Sequence, residues 1–199
     1  MKILLLCEPR SGSTMLGFWF HRQGNFDVRW ETTTPDSRHS WKQDLKDVKI
    51  KTGCEHLVLK ELAPYKRDWD EYLEFCDKVV FLHRENFEDQ LISYNYARTQ
   101  NKWDQFYSEE EANSVTVEDS NRTLLQGNKK NFSIIKEKYF TDSHLSITYE
   151  DLYFRNKIHI LKDYLNLPDK LDRKFPEGSR YRYKKDNPWS TDPFYKQFN

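Results

Sequence analysis

Pro9-Arg10-Ser11-Gly12-Ser13-Thr14 lies between an apolar hexapeptide and a helical pattern, and its residue types suit the binding of an anion. A loop of small residues between a strand and a helix exposes successive backbone N–H groups. They point at one spot beside the positive end of the helix dipole. Gly12 permits close backbone approach, Ser11, Ser13 and Thr14 carry hydroxyl donors, and Arg10 carries a permanent positive charge. The same residues also suit a plain helix cap with Ser11 or Ser13 as N-cap, so the loop alone leaves cap and phosphate cradle both open. A nucleotide-hydrolase loop would need G-x-x-x-x-G-K-[ST]. Cys7 stands where the first glycine belongs and Ser13 where the lysine belongs, which disfavours an ATPase or GTPase.

The elements that would position this loop follow from the hydrophobic pattern. Apolar runs predict strands at 2–7, 57–60, 78–83 and 145–149. Helical spacing predicts helices at 14–23, 68–76, 87–99, 121–140 and 151–165. Strands separated by helices imply right-handed crossovers and a parallel sheet of about four to five strands, hence a three-layer α/β fold. Ligands of such sheets bind outside the carboxyl ends of the strands. Those ends carry Pro9–Thr14, Lys60-Glu61, His83-Arg84 and Tyr149-Glu150-Asp151, all polar or charged.

The 199 residues suit one domain, with a core over 1–165 and an irregular basic tail over 168–199. The 32 basic and 32 acidic residues balance, which argues against a nucleic-acid partner. Cys7, Cys54 and Cys76 match no zinc or disulfide spacing, and free thiols point to the cytoplasm. The apolar start is too short for a signal peptide, and no run is long enough for a membrane span. None of the six histidines has a paired metal spacing, so no metal is expected.

Pro9-Arg10-Ser11-Gly12-Ser13-Thr14-Met15-Leu16 closely resembles the 5′-phosphosulfate loop of sulfotransferases that use 3′-phosphoadenosine-5′-phosphosulfate (PAPS). It looks most like the form found in bacterial and carbohydrate members. The third strand leads into Arg84-Glu85-Asn86-Phe87-Glu88-Asp89-Gln90-Leu91-Ile92-Ser93, similar to the arrangement in bacterial trehalose-type enzymes. In that family an Arg at this strand end and a Ser about two helical turns later grip the 3′-phosphate. Arg84 and Ser93 take these places, although many cytosolic members have the Arg one residue nearer the Ser. Leu57-Val58-Leu59-Lys60 resembles the second-strand segment whose lysine lies near the reacting sulfuryl group. Ile147-Thr148-Tyr149-Glu150-Asp151-Leu152 resembles a recurring strand-to-helix segment, in which Glu150 or Asp151 is expected to cap the last helix. The resemblance covers residues 1–165 and implies a P-loop-like topology, PAPS as donor, and a small-molecule or glycan acceptor.

Sulfuryl transfer is mainly positioning and charge stabilisation. The resemblance implies that Arg10, Ser11, Gly12, Ser13 and Thr14 hold the phosphosulfate. Arg10 and Lys60 are the candidates for stabilising the transferred group, though each could form an ordinary salt bridge. Many cytosolic members place a catalytic His two residues after the lysine, where this chain has Leu62. Glu31 is the candidate general base, with Asp36 and Glu61 as alternatives. In the tail, Arg180 and Arg182 alternate with Tyr181 and Tyr183 and are candidates for closing over the nucleotide. A small-molecule kinase and a PAPS-fold protein that binds without turnover are the competing readings.

Overall fold

The computed structural model describes residues 1–30, 45, 48–65, 68–103 and 109–168. Five strands form one parallel sheet: β1 (Lys2–Cys7), β2 (Phe26–Trp30), β3 (His56–Leu62), β4 (Lys78–His83) and β5 (Leu145–Thr148). Their order across the sheet is β2-β3-β1-β4-β5. Residues alternate between the faces of β1, as strand geometry requires. Ile3, Leu5 and Cys7 pack on one face against Met15, Leu16, Trp19 and Phe20 of helix α1 (Ser13–Arg22). Leu4 and Leu6 pack on the other. That second face is covered by Trp69, by Tyr72 of α2 (Asp70–Phe75), and by Phe132, Ile135 and Tyr139 of α5 (Asp119–Tyr139). Helices α3 (Phe87–Thr99) and α4 (Glu109–Asn113) lie in the connection that leads to α5.

Three expectations need correction. The predicted strands omit the segment after α1, but β2 lies there and pairs with β3 along its whole length. Asp27 and Arg29 interrupt its apolar run. They bond to each other at 2.8 Å, and Asp27 also accepts the Lys51 N–H at 3.0 Å. Asp27 is buried nonetheless, and these bonds satisfy its carboxylate at the sheet edge. The predicted helix over 151–165 is two helices, α6 (Tyr149–Tyr153) and α7 (Ile158–Tyr164). Between them Asn156 takes a left-handed φ of 52°, a conformation that asparagine tolerates better than most residues. Third, neither Glu150 nor Asp151 is the cap there. Thr148 caps α6 by accepting the Asp151 N–H at 2.9 Å.

The chain leaves β1 toward the β2 edge and leaves β4 toward the β5 edge. These neighbours therefore flank the switch point of the sheet, where α/β folds open a crevice. Among the described residues no helix is long and apolar enough to cross a membrane.

Candidate anion-binding site

The loop after β1 sits at this switch point. Glu8 continues the β1–β4 ladder, its N–H donating to the Leu82 oxygen at 2.9 Å. The backbone then winds tightly. Arg10 and Gly12 both take left-handed conformations, with φ of 60° and 77°. For a non-glycine residue such as Arg10 this costs on the order of 1–3 kcal/mol and persists only where the surroundings enforce it. They do. The Arg84 Nη1 donates to the Arg10 oxygen at 3.4 Å, and the Arg10 guanidinium is held at both ends. Its Nε donates to Ser93 Oγ at 2.9 Å and its Nη1 to the Trp103 oxygen at 2.7 Å.

Between cap and cradle, the geometry disfavours the cap. The N-cap of α1 is Gly12, and among the described residues no side chain caps the helix. Ser11 is buried and turns its hydroxyl inward, onto the Glu8 oxygen at 2.8 Å. It thus donates to the turn it braces and not to the N–H end of α1. The first-turn N–H groups of a helix have no partner inside it. Here they stand at the carboxyl rim of the sheet, next to Arg10, and that donor set suits an oxyanion. Gly12 is required for space as well as for φ. A Cβ there would lie 2.7 Å from Tyr149 Cδ2 and 2.8 Å from Tyr153 Cε2. The Tyr153 hydroxyl donates to the Gly12 oxygen at 2.8 Å, so α6 clamps the loop from above.

Arg84 is only 4% exposed and lies beneath the loop. Its guanidinium stacks 4.3 Å over the Tyr149 ring, with Asp89 and Glu150 oxygens at 3.8 and 3.9 Å. Its Nε has no hydrogen-bond partner among the described residues. Such a buried donor is costly unless something accepts from it. Glu150 does not cap its own helix. It accepts the Glu85 and Asn86 N–H groups at 2.9 and 3.1 Å and so fixes the start of α3 from β5's side. Asn86 supplies the true cap of α3, accepting the Asp89 N–H at 3.2 Å.

Gln90, from the segment between Arg84 and Ser93, and two residues outside the motifs, Glu8 and Lys129, complete the site. The Glu8 carboxylate is buried, and one of its oxygens accepts from the Arg84 N–H, Gln90 Nε2 and Lys129 Nζ, at 3.2, 3.1 and 3.0 Å. Glu8 abuts the loop motif, and an acid entering an anion site is the one signal that pointed to it. No local signal marks Lys129, which sits 121 residues away on α5.

Lys60 is fully buried on the α1 face, its Nζ 5.9 Å from the Trp30 ring. Glu61 is fully buried as well, and as the next residue of β3 it points to the opposite face. The alternative bases Glu61 and Lys60's neighbourhood are therefore on different sides of the sheet. Glu31, Asp36, Arg180 and Arg182 lie outside the described residues. The structure thus brings together Arg10, Ser11, Gly12, Ser13, Arg84 and Ser93, while Thr14 follows in the first turn of α1 and Lys60 lies in the core beside Trp30. His83 points under α5, its ring tilted against Phe132 at 5.9 Å. Burial lowers its pKa, so it is neutral at neutral pH. Among the described residues no group of three His, Cys, Asp or Glu side chains could hold a metal ion.

No protein-family model matches the chain, and no curated protein does. Among solved structures it is similar to mouse sulfotransferase SULT7A1 complexed with PAP, with a TM-score of 0.54 at 14% identity. The match covers 85% of this chain and 59% of the mouse protein. At that identity the likeness establishes a shared α/β fold.

Proposed function

We propose that the chain is a sulfotransferase that moves a sulfuryl group from PAPS to a hydroxyl or amine of a carbohydrate or other small acceptor. The observation that carries this reading is the Arg10–Ser93 bond. It joins the loop expected to hold a 5′-phosphosulfate to the helix expected to hold a 3′-phosphate. The likeness to a PAP-bound sulfotransferase fold supports it.

The donor set fits a nucleotide carrying phosphates at both positions. Gly12, Ser13 and Thr14 offer the first-turn N–H groups of α1, Ser11 shapes the turn, and Arg10 adds charge at the rim. Ser93 accepts from Arg10, which sets its hydroxyl beside the loop. Arg84 adds a buried Nε–H donor that has no acceptor among the described residues. Arg180 and Arg182 of the tail are assigned to closing over the nucleotide, and Lys60 to the charge of the transferred group.

Bound PAPS would supply the sulfuryl group, its bond to the bridging oxygen breaking as the acceptor oxygen or nitrogen bonds to sulfur, with adenosine 3′,5′-bisphosphate as the leaving group. Arg10 and the α1 amides hold the negative charge in place, which is where a group-transfer enzyme obtains most of its rate. Glu31 takes the acceptor proton. In the sequence it follows directly on Trp30, the last residue of β2. The fully buried Glu61 is less suited to that task. A carbohydrate acceptor follows the trehalose-type pattern of Arg84 to Ser93, and a cytoplasmic setting fits the free thiols of Cys7, Cys54 and Cys76.

The deciding experiment is calorimetry with adenosine 3′,5′-bisphosphate, 5′-AMP and magnesium ATP, followed by transfer of labelled sulfate from PAPS to sugars, glycolipids and phenols. Tight binding of the bisphosphate alone, with label in one acceptor class, is the expected result. Preference for ATP would establish the kinase. Nucleotide binding without transfer to any acceptor would establish a non-catalytic binder.

A further inference from the structure

Beneath the anion loop lies a cluster that the roles above do not use. The Lys129 ammonium has three protons and three oxygen acceptors: Arg84 main-chain oxygen at 2.8 Å, Glu8 Oε2 at 3.0 Å and Gln90 Oε1 at 3.0 Å. Gln90 Nε2 in turn donates to Glu8 at 3.1 Å and to the Pro9 oxygen at 2.8 Å. Glu8 receives the Arg84 N–H at 3.2 Å. Among the described residues, these side-chain bonds end on Pro9, which begins the loop, on Arg84, or on another member of the cluster. It ties β1, β4, α3 and α5 together at the switch point.

An ordinary structural salt bridge does not need this placement. The Glu8 carboxylate is 3% exposed and adjoins a loop that is to receive an anion. Left alone, it would repel that anion and pay a desolvation penalty. Lys129 neutralises it and holds the Arg84 backbone, while Gln90 hydrogen-bonds it and holds the Pro9 backbone. Through these the orientations of Arg10 and Arg84 are set, since Arg84 Nη1 bonds the Arg10 oxygen.

We propose that Lys129 is a positioning residue for nucleotide binding, acting through Glu8 to hold the loop and to shield the bound anion from the Glu8 charge. This rests on the reading of the loop as the phosphosulfate site. The test is a double-mutant cycle on the full chain with Lys129→Met, Glu8→Gln and the double variant. Melting and circular dichroism are recorded beside calorimetry with adenosine 3′,5′-bisphosphate and, separately, inorganic pyrophosphate. Lys129→Met leaves the buried carboxylate uncompensated, and Kd for the bisphosphate should rise about tenfold or more. The double variant removes both charges and should recover to within about threefold of the native affinity, although it has lost one more native residue.

Equal loss in Lys129→Met and the double variant would overturn the proposal, because a merely structural lysine gives no rescue. So would unchanged affinity in Lys129→Met. If Lys129→Met does not fold, Lys129→Gln replaces it with the same expected pattern. A native chain that ignores the bisphosphate but shows the cycle with pyrophosphate would refute the nucleotide reading and keep this one. A native chain that binds neither anion would refute both.

Discussion

Arg10 Nε donates to Ser93 Oγ at 2.9 Å across 83 positions of sequence, and the same guanidinium reaches the Trp103 oxygen. This bond spans the crevice from the first βα loop to the middle of α3. If Ser93 grips a 3′-phosphate together with Arg84, Ser93→Ala removes a hydroxyl from that grip and one of the two side-chain bonds that hold Arg10. One charge-assisted hydrogen bond contributes about 1.5–3 kcal/mol, so Kd for adenosine 3′,5′-bisphosphate should rise about 10- to 100-fold. Affinity for 5′-AMP should change by less than about threefold, since it lacks the 3′-phosphate. Parallel calorimetry with the two nucleotides checks this.

Gly12 can be separated into its conformational and packing parts. Gly12→Ala forces a side chain onto a φ of 77° and drives a Cβ into the Tyr149 and Tyr153 rings. Gly24→Ala meets the same type of conformational penalty at φ 84° with nothing within 4 Å of the new Cβ. Urea unfolding should show Gly12→Ala losing about 1–3 kcal/mol more than Gly24→Ala. Equal losses would mean that the tyrosines move aside freely.

Asp151 sets an acid limit on stability. Burial alone would raise its pKa, but hydrogen bonds from Lys157, Arg155 and Thr148 outweigh that and lower it from 3.8 to about 2. The folded pKa is depressed, so the carboxylate stabilises the fold above its unfolded pKa. That contribution is lost as pH falls through the interval between the two values. Asp151→Asn should therefore melt earlier than the native chain at neutral pH, with the gap closing as pH approaches about 2. Melting curves across this range give the answer, and a constant gap would contradict it.

Glu31 is assigned the acceptor proton. Glu31→Gln keeps the shape and removes the basicity, so turnover should fall on the order of a hundredfold. Affinity for adenosine 3′,5′-bisphosphate should stay within about threefold, because the residue has no part in holding the nucleotide. If turnover persists in Glu31→Gln but fails in Asp36→Asn, the base is Asp36.

Elements with strong local signals were legible from the chain alone. The uninterrupted apolar runs Lys2–Cys7 and Lys78–His83 form strands with the expected bounds, and Phe87–Thr99 forms the expected helix behind its Asn86 cap. These signals are short-range, so propensity and capping suffice. Strand β2 escaped because Asp27 and Arg29 interrupt its apolar run and disguise it. The break at Asn156 escaped because helical spacing continues on both sides of it.

The amino-acid sequence by itself determined the chemistry on offer: a strand, a small-residue loop with a glycine, and a cation at each of two strand ends. Those are covalently adjacent features, and their local geometry follows from their own side chains. Only the tertiary structure decided which group each cation meets. Arg10 could have faced an acid and instead holds Ser93. Arg84 could have stood in solvent and instead lies under the loop on Tyr149. Lys129 carries no local mark at all, and it reaches Glu8 because the crossover through α3 and α5 returns to the crevice between β1 and β4. Charges select partners by distance in space, and that distance is set by how the crossovers pack on the sheet.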